Sequence, residues 1–162
     1  MIWSLTEELD YFKANYSDLT DREASIFNSL ANPTPVYISY LGNEQFAFPR
    51  QYVDRIRLFQ NRPIIGSLTA KELRKEFNWE VTQFFNNSSN FSWAESTWTH
   101  QDSDYILRFY YRGRTIGKVY LCLEECGMIH TRPFTPNIKF GALTDEGRRE
   151  LESIIADEEK WE

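Results

Sequence analysis

The sequence predicts an α+β protein built around an antiparallel sheet, and three observations lead to this fold class. Residues Tyr105 to Phe134 form three successive segments rich in aromatic and β-branched residues, separated by Gly-containing turns, as in an antiparallel meander. Capping boxes followed by apolar residues at helical spacing predict helices before this region, and another helix follows it. Aromatic residues make up 16% of the 162 residues, which is enough for a packed core. We therefore expect a single domain over residues 1–162.

Two helices are predicted near the N-terminus because each segment starts with a capping box. In this motif a Ser or Thr hydroxyl accepts a hydrogen bond from a free backbone N–H, and a Glu three residues later accepts one in return. Ser4 precedes the first helix and Thr20 the second, which Asn32-Pro33 ends. A hairpin is predicted near residues 36–48, around the turn-forming pair Gly42-Asn43.

The region between this hairpin and the sheet is predicted to be helical. From Arg50 to Gln60, apolar residues at helical spacing favour a helix. Thr69 opens a third capping box that closes at Glu72, and apolar residues continue the helical spacing to Phe84. An alternative stays open, in which Asn78 is a turn that a second short helix follows.

A four-stranded meander is predicted over residues 91–134, and a C-terminal helix follows it. Phe91 to Thr99 is the first strand, and the other three strands are joined by turns at residues 113–115 and 125–127. The helix starts at Thr144, where the hydroxyl caps the N-terminus and the next two acidic residues favour its positive end. The sheet is thus flanked by helices from both ends of the chain.

Charge is distributed unevenly along the chain, whose formal net charge is −6. Residues 145–162 contain eight acids and three bases, so the acidity is concentrated there. The nineteen residues from Tyr105 to Leu123 contain four cations and no acid. The acidic segment is typical of a solvated helix face, although it also has the charge to fold over the basic strands.

The register of the meander decides which side chains share a face, because successive side chains of a strand point to opposite faces. The register that keeps apolar residues together pairs Phe109 with Val119 and Arg108 with Tyr120. The second turn then pairs Tyr120 with Arg132. This register predicts one binding face made of Arg108, Tyr110, Arg112, Lys118, Tyr120, His130 and Arg132.

The leading functional prediction is a small non-enzymatic binding or regulatory protein that holds an acidic protein partner on this face. The alternative is a nucleic-acid-binding protein whose tyrosines stack on bases and whose cations neutralise phosphates. A solvated sheet face covered by long basic stems also fits the pattern. An open sheet in an aromatic-rich chain further leaves surface for a homodimer.

A further alternative, an enzyme or a metal protein, rests on Cys122 and His130, which the predicted register places side by side. Their spacing with Cys126 is not that of a zinc knuckle, and nothing marks a third group that would orient a Cys–His pair. The sequence has no phosphate-binding loop, dinucleotide fingerprint, zinc-protease motif or nucleophile elbow. We expect no metal and no cofactor, and the sequence disfavours an enzyme without excluding one.

The chain lacks the usual signals for export or membrane insertion. Acidic residues interrupt the N-terminal region, and no apolar run approaches the ~20 residues that span a membrane. Two cysteines in 162 residues do not predict a disulfide scaffold. We therefore expect a soluble cytoplasmic protein with no membrane partner.

Overall fold

A seven-stranded sheet lies at the centre of the part of the chain that the structure describes. The computed structural model describes residues 41–61, 70–92, 98–99 and 102–162. Its strands are β1 (Arg55–Gln60), β2 (Lys71–Glu72), β3 (Phe91–Ser92), β4 (Tyr105–Tyr111), β5 (Arg114–Cys122), β6 (Met128–Arg132) and β7 (Ala142–Leu143). The helices are α1 (Asn78–Asn86) and α2 (Asp145–Ala156). The strand order is β2-β1-β4-β5-β6-β7-β3, with antiparallel neighbours throughout.

The predicted α+β class with an antiparallel sheet is confirmed, but the four-stranded meander is not. β4, β5 and β6 are successive neighbours, as expected. The predicted first strand, Phe91 to Thr99, contributes β3 alone among its described residues, and β3 pairs with β7 at the far edge of the sheet. The place beside β4 is taken by β1.

The helix predicted between Arg50 and Gln60 is wrong, because β1 occupies most of this segment. Cations and apolar residues alternate at its start, and the structure buries Ile56 and Leu58 while their neighbours are half-buried. This period of two is the signature of a strand with one face in the core. Tyr52, which a helix would have placed on the apolar face, is 70% exposed.

The third predicted helix begins later than its capping box suggested. Lys71–Glu72 is the edge strand β2, and Thr69 lies outside the described residues. The backbone N–H and carbonyl of Glu72 bond to Glu162 at 3.1 and 2.8 Å, so the end of the chain pairs with this edge. A 3-10 turn at Lys75–Phe77 then leads into α1 at Asn78. The alternative of a short helix at Asn78 is closer to the structure.

The hairpin predicted near residues 36–48 is not formed in its described part. Residues 36–40 and both predicted N-terminal helices lie outside the described residues. Glu44–Phe46 forms a 3-10 turn where the second strand was expected. The side chain of Asn43 accepts a hydrogen bond from the Gln45 N–H, which favours the turn over an extended strand.

Both described helices pack on one face of the sheet. α2 begins after Thr144, whose hydroxyl accepts a hydrogen bond from the Gly147 N–H at 3.0 Å. The sequence predicted this N-cap. Leu151 and Ile154 of α2 pack in the core, together with inward-facing side chains of the sheet. The indole of Trp161 also enters this core and donates to the Ile154 carbonyl oxygen at 2.9 Å. Neither α1 nor α2 is long and apolar enough to cross a membrane.

Candidate anion-binding face

The two faces of the sheet carry different side chains. One set of alternate residues in β1, β4, β5 and β6 packs into the core beneath the helices. The other set points to the opposite face, where its members are half-buried or buried. We call this opposite surface the basic face and define it by Arg55, Arg57, Phe59, Ile106, Arg108, Tyr110, Lys118, Tyr120, His130 and Arg132.

Four cations lie side by side across the middle of the basic face. Backbone pairing places Arg57 opposite Arg108, Arg108 opposite Lys118, and Lys118 opposite Arg132. Directly opposite residues share a face, so these four side chains form a continuous row across four neighbouring strands. At ~4.8 Å between strands the row is about 14 Å long. We call it the cation row.

Aromatic rings of the basic face already contact guanidinium groups. The ring centroid of Phe59 lies 4.6 Å from Cζ of Arg108 and 5.2 Å from Cζ of Arg57. Two further pairs make the same contact, namely Arg55 over Tyr110 at 4.6 Å and Arg132 over Tyr120 at 5.9 Å. Each contact is worth about 0.5–1 kcal/mol at a partly exposed site. The rings therefore orient the arginines along the face.

The cation row has no ion pair within the described part of the chain. The salt bridges found there lie elsewhere, at Lys71–Glu158, Arg148–Glu152 and Lys160–Glu80. The Nε atoms of Arg57, Arg108 and Arg132 are buried and lack a hydrogen-bond acceptor. Glu72 stands opposite Arg57 at the β2 end of the row but forms no salt bridge with it. Because like charges opposite each other repel, negative charge brought to this row would be stabilised.

Six of the seven predicted binding residues lie on the basic face, namely Arg108, Tyr110, Lys118, Tyr120, His130 and Arg132. The seventh, Arg112, lies in the turn between β4 and β5, where its φ is +49°. Its exposed guanidinium lies over the Tyr111 ring at 5.1 Å. Arg112 is therefore separate from the cation row. The role of all seven residues in binding stays a prediction.

The predicted register is wrong by two residues at both borders of β5. The structure pairs Arg108 with Lys118 rather than Tyr120, and Lys118 with Arg132. The tight turn at Arg112-Gly113 and a bulge after Phe109 account for the first shift. A shift of two keeps every side chain on its face, whereas a shift of one would exchange the faces. The shift places cations opposite one another instead of opposite tyrosines.

Sequence reasoning missed three members of the basic face, Arg55, Arg57 and Phe59. They were missed because their segment was predicted to be a helix. The available signal is the alternation of Arg and an apolar residue from Arg55 to Leu58, which has the period of a strand. No local pattern in the sequence indicates that β1 lies beside β4.

Cys122 forms a disulfide with Cys126, and it lies opposite Met128 rather than opposite His130 as predicted. The two Cα atoms are 5.4 Å apart across the turn after β5, which suits a disulfide. A disulfide sulfur is neither a thiolate ligand nor a nucleophile. His130 is buried and lies opposite Tyr120 instead. Disulfides are typical of oxidising compartments, so the cytoplasmic location stays a prediction without structural support.

The described residues bring together no group of three or more His, Cys, Asp or Glu side chains that could hold a metal ion. Lys139 lies outside the basic face and has a lowered pKa. Burial lowers the pKa of Lys139, whose Nζ donates to the Phe91 carbonyl oxygen at 2.8 Å. The cations of the basic face offer positive charge and hydrogen-bond donors.

The acidic C-terminal helix does not cover the basic face. α2 packs through Leu151 and Ile154 into the core on the other side of the sheet. Glu158 beyond the helix pairs with Lys71, whose strand partner Leu58 is also on the core side. The acidic residues of α2 are thus on the far side of the sheet from the cation row.

Comparison with known proteins adds no relative from which a function could be transferred. No protein-family model matches the sequence, and no curated protein or solved structure shows significant similarity to it.

Proposed function

We propose that this protein is a non-enzymatic binding protein whose basic face holds an acidic surface of a partner protein. The observation that carries the proposal is the cation row, in which four like charges stand in register without an ion pair in the described structure. A sheet that served the fold alone would gain stability from opposite charges at these positions. The row is therefore best explained by a negative partner.

Carboxylates are the acceptors that suit this row best. Three of its members are arginines, whose planar guanidinium groups bind a carboxylate through two parallel N–H donors. The buried Nε atoms of Arg57, Arg108 and Arg132 still lack an acceptor. Because these Nε atoms are buried, a carboxylate that docked on the face would bond to the terminal nitrogens of a guanidinium instead. Acidic side chains thus suit the donors that the arginines present outward.

Nucleic acid is the second candidate, because phosphates also bind arginine and aromatic rings lie on the same face. However, the rings that would stack on bases already contact guanidinium groups. Arg55 lies over Tyr110 at 4.6 Å, and Tyr110 is 8% exposed. A base could stack on this ring after displacing the arginine. This cost favours an acidic protein over a nucleic acid.

The proposal is tested by fluorescence anisotropy with two labelled anions of equal formal charge, an oligoglutamate and a single-stranded RNA. The row variant carries Arg108→Gln, Lys118→Gln and Arg132→Gln. If each contact contributes about 1 kcal/mol, this variant should lose about 100-fold in affinity for oligoglutamate. The matched control, Arg74→Gln with Lys75→Gln and Arg149→Gln, removes as many exposed cations outside the row and should bind within about twofold of the original chain.

The two anions separate the two candidate functions. Tighter binding of oligoglutamate than of RNA, lost in the row variant, is the expected result. Tighter RNA binding that falls steeply with salt would favour the nucleic-acid alternative, because phosphate contacts release counterions. If neither anion binds at low salt, or if the control variant loses as much as the row variant, the proposal is wrong.

A further inference from the structure

The spacing of the cation row can be compared with that of acidic residues on regular secondary structure. Successive cations lie one strand apart, at ~4.8, ~9.6 and ~14.4 Å from Arg57 along the row. On an α-helix, residues i+3, i+7 and i+10 rise by ~4.5, ~10.5 and ~15 Å from residue i, and all four lie on one face. The two series agree to within about 1 Å.

An extended partner strand fits the same row less well. Side chains on one face of a strand are ~6.8 Å apart, so only three acidic residues would span the length of the four cations. The two inner cations would then have no acidic residue directly opposite them. A strand also gains most of its affinity by adding to a sheet edge. The cation row instead crosses the interior strands β1, β4, β5 and β6.

A second row of side chains runs parallel to the cation row, two residues away from it on each strand. It comprises Phe59, Ile106, Tyr120 and His130, which pair with one another in that order. The rows are ~6.7 Å apart. Phe59 and Ile106 are half-buried, and both are apolar, although two guanidinium groups already contact the Phe59 ring. His130 at the other end of this row is buried and contacts the Trp98 ring. A ligand that covered the cation row together with Phe59 and Ile106 would need an acidic stripe next to an apolar one.

We infer that the acidic partner presents an amphipathic α-helix that lies across the strands of the sheet. Its acidic residues, spaced i, i+3, i+7 and i+10, bind the cation row, and its apolar stripe packs on Phe59 and Ile106. The inference rests on the proposed function and specifies the form of the partner. Charge complementarity selects the row, and the spacing selects a helix over a strand.

The helix belongs to a different protein rather than to a second copy of this chain. Glu146 and Glu150 do give α2 an exposed acidic stripe. However, α2 packs on the core face, opposite the basic face. If α2 of one copy docked on the sheet of the next, the copies would join head to tail in a ring or an open filament rather than in a two-fold dimer.

Three labelled peptides of about 18 residues, long enough to form a helix on binding, test the inference by anisotropy against the full chain. The first has Glu at i, i+3, i+7 and i+10 with Leu on the adjoining stripe. The second has the same composition with its Glu residues spread around the helix. The third is the first peptide with a central proline, which breaks the helix. Each is also titrated against Arg57→Gln/Arg108→Gln and against the control Lys75→Gln/Arg149→Gln.

The first peptide should bind at least about tenfold more tightly than the other two, because their charges cannot match the row together. It should also gain helical circular dichroism on binding, and it should bind more weakly to Arg57→Gln/Arg108→Gln but not to the control. Equal binding of all three peptides would overturn the helix while leaving the acidic partner in place. The helix would also be overturned if the chain bound oligoglutamate but none of the three peptides. If neither oligoglutamate nor any peptide binds, the proposed function itself fails. Self-association of the chain at micromolar concentration, abolished in the row variant, would assign the face to a second copy instead.

Discussion

Replacing Lys118 by glutamine should make the fold more stable. Lys118 stands between Arg108 and Arg132 in the cation row and has no ion pair in the described structure. Like charges directly opposite on a sheet cost about 0.2–1 kcal/mol per pair. Lys118→Gln removes two such repulsions and keeps the first two of the four methylenes of the lysine stem. We expect the free energy of unfolding to rise by about 0.5–1.5 kcal/mol.

Urea unfolding at low and high salt measures this gain. The midpoint should rise while the slope m stays unchanged, because the exposed area on unfolding is the same. In 1 M salt the Debye length falls to ~3 Å, so the gain should shrink. Lys75→Gln is the matched control, because it changes the net charge equally. The exposed Lys75 borders Glu72, Glu76 and Glu162, so its loss should leave stability unchanged or lower it by a few tenths of a kcal/mol.

Two results would refute this reasoning. Lower stability of Lys118→Gln would mean that the lysine packs or pairs favourably in the row. An equal gain at both salt concentrations would mean that its effect is not electrostatic. By contrast, a salt-dependent gain combined with weaker oligoglutamate binding would identify a position where stability is given up for binding.

Three further changes test the packing that holds the sheet in place, each by urea unfolding. Trp161→Ala should lower stability by about 3–5 kcal/mol, since this buried ring closes the core, and a loss below about 1 kcal/mol would contradict that role. Asn86→Ala should lower stability by about 2–3 kcal/mol, because the Asn86 amide bonds to both the N–H and the carbonyl of Phe48 at 2.7 Å. With aspartate at this position instead of alanine, no more than part of that stability should be recovered. Asp104→Asn should cost about 1–2 kcal/mol and speed hydrogen exchange at Leu123, whose N–H donates to that carboxylate at 2.6 Å; unchanged exchange would count against it.

Local patterns in the sequence were enough to predict which residues share a face of the central strands. Alternation from Tyr105 to Leu123 separates inward apolar residues from outward cations, and this separation survives the two-residue error in register. The N-cap at Thr144 was likewise visible, because a hydroxyl followed by acidic residues is a local signal.

Features that depend on distant parts of the chain could not be predicted in the same way. β1 lies beside β4 although about fifty residues separate them, and no local pattern encodes that contact. The helical spacing of Val53, Ile56 and Phe59 competed with the alternation in β1, and pairing with β4 decided the outcome. The register of β5 was set by a tight turn and a bulge, which shift pairing without changing the alternation. The cation row, which depends on both, was therefore hidden in the sequence.

The most direct test of the central claim is nuclear magnetic resonance of the arginine Nε–H groups, with each signal assigned from a single Arg→Lys variant. The acidic helical peptide with the i, i+3, i+7 and i+10 spacing is titrated into the ¹⁵N-labelled chain. We predict that the Nε–H signals of Arg57, Arg108 and Arg132 shift as their guanidinium groups bind carboxylates, while that of Arg149 on α2 stays in place. Unchanged signals from the three row arginines, or an equal shift at Arg149, would contradict the assignment of the cation row as the binding site.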